Sequence, residues 1–262
     1  MRPEAYAELS AVRDEFRALV ARWTKEHPYL PLLQERLRAD LGYDDYRVET
    51  PIVYNRALDD IGPHDKVRFV LVADNPGKNE QLARNNRYLV GQSGKLAEGW
   101  FGRELGMDFR REVLILNKTP VHTPKTAELR KLLALAGPDR PRLAGLLEES
   151  QRAMADLAFR AASALGCVLW LSGLGELRDG GLFQTYRDAL AELISGAPAG
   201  PAAGASKRAR TSARARPEVL AFNHFSMNQF AIELRRKADP AKPLEEELGR
   251  IGAENRKRVL GV

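Results

Sequence analysis

Cysteine is almost missing from this chain, which has one such residue, Cys167, among 262. A single cysteine excludes an internal disulfide and any metal cluster that needs several thiolates from this chain. Cys167 begins the apolar run Cys-Val-Leu-Trp-Leu at 167–171. This setting predicts a core residue rather than a reactive thiol.

Long apolar runs are also missing, and no stretch approaches the roughly 20 residues that a helix needs to cross a bilayer. Residues 1–19 are charged and amphipathic, without the apolar centre of a secretion signal. The four histidines show no metal-ligand spacing, and His122 is predicted to lie in a surface loop. We therefore expect a monomer of the bacterial cytosol or nucleoid, with no membrane partner, no metal and no cofactor.

The excess of positive charge is mild, since the net charge is +6 and the isoelectric point is about 9.5. The segment 196–216 nevertheless combines Gly, Pro, Ala and Ser with five basic side chains and no acid: Lys207, Arg208, Arg210, Arg214 and Arg216. Such a composition cannot bury a core, so we expect a flexible insertion. It is either a passive solvated segment or a basic arm that contacts phosphates.

Apolar runs and helical periodicities alternate along the chain. Four short apolar runs are typical of buried parallel strands: 67–73, 113–116, 168–171 and 219–222. Other segments have helical periodicity: 3–23, 29–41, 93–105, 126–136, 142–165, 183–194, 227–237 and 244–259. This alternation predicts an α/β protein, with a three-layer α/β/α fold and a four-stranded parallel sheet. We expect residues 1–45 to form a helical pair packed on the core, and residues 46–262 to form the α/β domain.

Polar side chains follow three of the four predicted strands. The first strand runs into Asp-Asn-Pro-Gly at 74–77, the second into Asn117, and the fourth into Asn-His-Phe-Ser at 223–226. Open α/β sheets bind ligands just beyond the carboxyl ends of their strands. We therefore expect carboxamides, a carboxylate, an imidazole and a hydroxyl to meet at one edge of the sheet.

These motifs resemble, in order, those of the uracil-DNA glycosylase superfamily. Asn-Pro-Gly at 75–77, followed by Arg-Tyr-Leu-Val-Gly-Gln-Ser-Gly-Lys-Leu at 87–96, is similar to its first motif region. Leu-Ile-Leu-Asn at 114–117 is similar to the Leu-Leu-Leu-Asn that ends the second core strand in one branch. Asn-His-Phe-Ser at 223–226 resembles the His-Pro-Ser motif of the last core strand. The cysteines of the iron–sulfur branch are absent, so no such centre is expected.

The resemblance implies catalytic roles for Asp74, Asn75 and His224. Members of this superfamily extrude a damaged nucleotide and hydrolyse its N-glycosidic bond, and the base leaves as an anion. Asn75 matches the asparagine that positions the attacking water. Asp74 matches a carboxylate that either accepts a proton or stabilises the oxocarbenium. His224 matches the donor to the base O2.

The same resemblance implies a base pocket formed by Gly77, Tyr88, Leu89 and Asn117. The Asn117 amide has one donor and one acceptor to match O4 and N3–H of uracil. Leu89 stands where the iron–sulfur branch has a stacking phenylalanine, and Tyr88 is predicted to compensate. Gly77 stands where another branch has a tyrosine that excludes the thymine methyl group. We therefore expect a roomier pocket that admits 5-substituted uracils or deaminated purines.

The resemblance also implies a DNA-binding loop after the fourth strand. Ser226 is predicted to hold a phosphate, and Met227 or Asn228 to enter the space that the extruded base leaves. If the basic segment is an arm, its contacts to DNA are made by Lys207, Arg208 and Arg210.

The sequence thus predicts a monofunctional DNA glycosylase for uracil or related deaminated bases, acting in base excision repair. No lysine is placed clearly enough to predict Schiff-base chemistry. The alternative is a catalytically weak or inactive protein of the same fold that binds single-stranded or damaged DNA. A small-molecule α/β hydrolase is disfavoured, because 172–175, Ser-Gly-Leu-Gly, lacks the Gly-x-Ser-x-Gly elbow.

Overall fold

A computed structural model describes residues 1–196 and 216–262 of the chain. The strands are Phe69–Ala73 (β1), Val113–Asn117 (β2), Val168–Ser172 (β3) and Val219–Phe222 (β4). The helices are Pro3–Glu26 (α1), Leu30–Asp40 (α2), Gln92–Leu105 (α3), Phe109–Glu112 (α4), Glu128–Leu135 (α5), Arg140–Leu165 (α6), Gln184–Ser195 (α7), Gln229–Lys237 (α8) and Leu244–Leu260 (α9). Every predicted strand is present within two residues of its predicted ends.

The four strands form one parallel sheet in the order β2-β1-β3-β4. Ala73 pairs with Asn117 at the end of β1 and β2, and Ser172 pairs with Phe222 at the end of β3 and β4. With helices around this sheet, the predicted three-layer α/β/α fold is confirmed.

An aromatic cluster covers one face of the sheet. The β3 side chain Trp170 packs at 4.7 to 6.0 Å between ring centroids against side chains of β1, α3, β4 and α8: Phe69, Trp100, Phe101, Phe222 and Phe230. Helix α6 packs along β1, β2 and β3, and α1 and α7 pack against α6. Buried side chains of α1, among them Phe16 and Trp23, belong to the same apolar core as the strands.

The direction in which strands are added to the sheet reverses between β1 and β3. After β1 the chain moves to one side to form β2, and it then returns past β1 to form β3 and β4. In doubly wound sheets the crevice at this reversal, outside the carboxyl ends of the strands, is where ligands bind. The polar residues that follow β1, β2 and β3 therefore occupy the position that this topology favours for a site.

Cys167 is half-buried rather than fully enclosed, because it lies just before β3, and burial raises the pKa of its thiol to about 12. The predicted flexible insertion lies almost wholly outside the described residues, although at its end Arg216 donates a hydrogen bond to the Ile194 carbonyl at 2.8 Å. Within residues 1–196 and 216–262, no helix has the length and apolarity that crossing a membrane requires.

Candidate active site at the carboxyl-terminal edge of the sheet

Asn75 lies in the loop after β1 with its amide nitrogen fixed. Nδ2 donates to Thr123 Oγ1 at 2.9 Å and to the Val121 carbonyl at 3.2 Å. These bonds use both amide hydrogens, so the acceptor Oδ1 remains. Oδ1 is buried and has no hydrogen-bond partner among the described residues. The side chain thus presents a fixed acceptor, which is suited to hold a water molecule.

Asn117 ends β2 with its whole carboxamide unsatisfied. The residue is 1% exposed, and neither Oδ1 nor Nδ2 has a partner within residues 1–196 and 216–262. Leaving a buried donor or acceptor unpaired costs about 1–3 kcal/mol for each group, so such an amide in a native fold needs an explanation. A ligand edge with one acceptor and one donor would satisfy both atoms.

Lys118 is the main feature of this edge that sequence reasoning missed. Its side chain is 0% exposed, and Nζ lies 2.5 Å from Asp74 Oδ1 and 2.5 Å from the Ser172 carbonyl oxygen. One ammonium group thereby joins the ends of β2, β1 and β3. Burial lowers the pKa of Lys118, and the charge of Asp74 opposes that change. No local sequence pattern distinguishes Lys118 from a solvated lysine, because the groups that it contacts lie at the ends of β1 and β3, 44 and 54 residues away.

Asp74 is held on all sides. Oδ1 accepts from Lys118, and Oδ2 accepts a hydrogen bond from Thr126 Oγ1 at 3.3 Å. Gly173, with φ of 86°, lies so close that a Cβ there would be 2.5 Å from Asp74 Oδ1. Only glycine tolerates both the backbone conformation and this approach. The turn after β3 is therefore shaped around the carboxylate.

His224 lies in the loop after β4, and its hydrogen bonds define which ring nitrogen carries the proton. Nδ1 accepts the backbone N–H of Ser226 at 3.0 Å and lies 2.8 Å from Ser226 Oγ. Burial lowers the pKa of His224, and Lys118 lowers it further against the effect of Asp74. The ring is thus neutral near pH 7, with its proton on Nε2. Ser226, predicted to hold a phosphate, instead has its hydroxyl on His224 and positions that ring.

The loop after His224 combines exposure with backbone strain. Met227 is 84% exposed and has φ of 51°, and Asn228 has φ of 56°. Two consecutive residues in the left-handed region are costly for side chains other than glycine, and such strain clusters at functional sites. Phe225, which stands where the similar His-Pro-Ser motif has proline, anchors the loop with its ring 4.6 Å from that of Phe230.

The proposed walls of the base pocket are connected by a buried carboxyl group. The Gly77 N–H donates to Glu80 Oε2 at 3.1 Å, and the Leu89 backbone also hydrogen-bonds to this carboxyl. Burial raises the pKa of Glu80 to about 7, although both hydrogen bonds act to lower it. A Cβ at Gly77 would meet only the Pro124 carbonyl oxygen, at 3.7 Å. The space beside Gly77 is compatible with the predicted roomier pocket.

Tyr88 and Leu89 are both buried. The Tyr88 hydroxyl donates to the Val53 carbonyl at 2.6 Å, so the side chain is satisfied within the core. The side chain is packed in this conformation, and its compensation for Leu89 stays a prediction. Leu89 has φ of 52°, and a Cβ at Gly94 would overlap its carbonyl oxygen.

His122 is fully buried, so its predicted position in a surface loop is wrong. Nδ1 donates to the Pro76 carbonyl at 2.9 Å, and Gln34 of α2 covers the residue by donating to the His122 carbonyl at 2.8 Å. Burial lowers the pKa of His122 to about 4. The ring links the loop after β2 to the Asn-Pro-Gly loop after β1.

The free energy of unfolding should carry two opposing pH dependences from these groups. His122, with its pKa lowered from 6.5 to about 4, stays neutral in the folded protein while the unfolded chain takes up a proton, so stability falls as pH drops from 6.5 to 4. Glu80, with its pKa raised from 4.5 to about 7, keeps a proton that the unfolded chain loses, so stability falls as pH rises from 4.5 through 7. Each contribution is about 3 kcal/mol at full extent.

Urea unfolding of the wild type, His122→Asn and Glu80→Gln across this pH range tests the two signs. Asparagine can keep the hydrogen bond to Pro76 without titrating. The stability of His122→Asn relative to wild type should rise as pH falls from 6.5, and that of Glu80→Gln should rise as pH increases above 4.5. Three parallel curves would contradict both assignments.

The remaining predicted DNA contacts, Lys207, Arg208 and Arg210, lie outside the described residues. In the described part of the chain, no group of three or more His, Cys, Asp or Glu side chains could hold a metal ion.

A cavity of about 540 Å³ between α3 and α8 is lined by Phe225 and Asn228 but not by Asn75, Asn117 or His224.

Taken together, the ends of the four strands present a water-holding acceptor, a donor–acceptor amide, an ion pair and a neutral imidazole donor. The amide and the imidazole donor are chemically suited to the polar edge of a planar ring and to negative charge that develops on it, and Asn117, at 1% exposure, is closed off in this conformation. The set contains no nucleophile elbow, and the Ser172 hydroxyl is buried without a partner in the described ranges.

No protein-family model matches the chain, and no curated protein is significantly similar to it.

Proposed function

We propose that this protein is a monofunctional DNA glycosylase that hydrolyses the N-glycosidic bond of uracil or a related deaminated base. The observation that carries the proposal is the Asn117 carboxamide, which is buried at the sheet edge with both polar atoms unpaired among the described residues. The edge of uracil offers the acceptor O4 and the donor N3–H that would satisfy it. The motif resemblance supports the same reading.

The neighbouring groups suit the bond cleavage. In the proposed reaction, the bond between C1′ and the base breaks, and its electron pair leaves with the base. His224 Nε2–H donates to the oxygen where the negative charge grows. Asn75 Oδ1 holds the water whose oxygen bonds to C1′, and the proton that this water loses neutralises the departed base. Asp74 Oδ1 is bound by Lys118 and Oδ2 by Thr126 Oγ1 at 3.3 Å, so Oδ2 is the oxygen that can also accept from the water or face the positively charged sugar.

Access to this site requires movement. Asn117 is 1% exposed, so a base reaches it only when the surrounding loops open. Enzymes that act on a base extrude it from the stack, and an apolar side chain often fills the resulting gap. Met227, exposed on its strained loop, is suited to that position.

The second candidate function is DNA binding without efficient catalysis. It is favoured by the closed site around Asn117 and by the engagement of Asp74 with Lys118. In this case the same loops would bind single-stranded or damaged DNA, and the base would not be released.

Alkali-induced strand cleavage distinguishes the two functions. Oligonucleotides that carry one uracil, hypoxanthine, xanthine or 5-hydroxymethyluracil, single-stranded and duplex, are incubated with the wild type and then treated with alkali. We expect cleavage at uracil or a related deaminated base after alkali. Cleavage without alkali would contradict the monofunctional assignment. Binding without cleavage on every substrate would overturn the glycosylase proposal and favour the second candidate.

A further inference from the structure

Two lysine side chains converge on one aromatic ring beside the candidate site. Lys78 Nζ lies 5.2 Å and Lys125 Nζ 5.7 Å from the centroid of the Tyr43 ring. Lys78 also lies 5.7 Å from the centroid of Tyr46. Contacts of this kind hold an ammonium group in place while its charge stays available. We refer to Lys78 and Lys125, which both contact the Tyr43 ring, as the lysine pair.

The two lysines come from the loops that hold the candidate catalytic amide. Lys78 directly follows the Asn-Pro-Gly turn at 75–77. Lys125 follows Thr123, whose hydroxyl accepts from Asn75 and donates to the Lys125 carbonyl at 3.0 Å. The lysine pair is therefore fixed relative to Asn75 by short stretches of chain.

Glu128 fixes the ring and the Lys125 loop together. The Tyr43 hydroxyl donates to Glu128 Oε1 at 2.8 Å, and the Lys125 backbone N–H donates to Oε2 at 2.9 Å. Glu128 is buried, and both of its oxygens are used in this way. Lys125 is exposed, whereas Lys78 forms an ion pair with the exposed Asp45 at 2.6 Å.

We infer that Lys78 and Lys125 form a clamp for backbone phosphates of the DNA strand that enters the candidate site. This inference rests on the proposed function. Tyr43 lies in the segment 41–50, and Lys78 and Lys125 lie in the loops after β1 and β2; the motifs assigned no role to any of the three. The Lys125 ammonium is exposed and that of Lys78 is half-buried, and one aromatic ring holds both beside the Asn-Pro-Gly loop. Two positive charges held in this way match a phosphate backbone better than a neutral ligand. Asp45 competes with phosphate for Lys78.

The salt dependence of DNA binding tests the clamp without any need for catalysis. Affinity for an undamaged single-stranded oligonucleotide is measured by fluorescence anisotropy between about 50 and 200 mM salt. The slope of log K against log salt is negative, and each lost phosphate contact lowers its magnitude by about 0.7 for single strands. We expect a reduction of about 0.7 for Lys78→Ala or Lys125→Ala, and of about 1.4 for the double variant.

Three further variants separate the clamp from a general loss of positive charge. Lys66→Ala removes an exposed lysine before β1, at the opposite edge of the sheet, and should leave the slope unchanged. Asp45→Asn should raise the affinity, because it frees Lys78. Tyr43→Phe keeps the ring but loses the hydrogen bond to Glu128, so it should weaken binding less than Tyr43→Leu, which removes the ring.

Equal slopes for the double variant and Lys66→Ala would overturn the clamp. Weaker binding by Asp45→Asn would do the same. If the slope falls as expected while no substrate is cleaved, the clamp stands as part of a DNA-binding site and the glycosylase proposal alone fails.

Discussion

Replacing Asn75 with alanine should lower the single-turnover rate of base release by about 10²–10³-fold, the range seen when one preorganised catalytic hydrogen-bonding group is removed. The variant loses Oδ1, the fixed acceptor that we assign to the attacking water. Thr123→Val should cause a smaller loss, because the amide remains but loses the hydroxyl that orients it at 2.9 Å. Rapid-quench assays on a uracil oligonucleotide measure both rates.

Asn79→Ala is the matched control for this series. Asn79 is exposed and lies four residues further along the same loop, so its removal should leave the rate near that of the wild type. An Asn75→Ala enzyme that retains the wild-type rate would show that the water is held elsewhere. A loss in Asn79→Ala equal to that in Asn75→Ala would point to damage of the loop as a whole.

Replacing Lys118 with methionine should have the largest effect on stability. The ammonium group is 0% exposed and its partner Asp74 is 17% exposed, so the variant leaves a nearly buried carboxylate without its cation. Removing one partner of a buried pair costs about 3 kcal/mol or more. Urea unfolding measures this loss, and base release should fall together with it.

The double variant Asp74→Asn/Lys118→Met separates folding from chemistry. With both charges gone, no unpaired ion remains, and most of the lost stability should return. Base release should stay low, because the carboxylate beside the sugar is missing. A double variant with the wild-type rate would exclude Asp74 and Lys118 from the reaction, and a Lys118→Met protein as stable as the wild type would contradict the energetic role of the pair.

The local sequence pattern predicted all four strands and eight of the nine α-helices of the described residues, whereas the short helix α4 was not predicted. Apolar runs such as 113–116 predicted the strands, because strands buried on both faces show continuous apolar sequence. The strand order was not predicted, since local periodicity does not say on which side of β1 each later strand is added. The reversal between β1 and β3, which puts Asp74 beside Gly173, is therefore visible only in the structure.

The candidate site was predicted in part for the same reason. Asn75, Asn117 and His224 follow strands and were placed at one edge from the sequence alone. Lys118 was missed, because its partners Asp74 and Ser172 are 44 and 54 residues away and meet it only through the sheet order. His122 was assigned to a surface loop from its neighbouring prolines, whereas α2 folds over it and buries it.

The most direct test of the central claim is chromatographic detection of free base. Wild-type protein and an Asn75→Ala/His224→Ala variant are incubated with a uracil oligonucleotide, and released uracil is quantified together with abasic sites. Our account predicts equal amounts of uracil and abasic sites from the wild type and almost none from the variant, with DNA binding retained in both. Equal release by the two proteins, or no release of any deaminated base by a wild type that binds DNA, would contradict it.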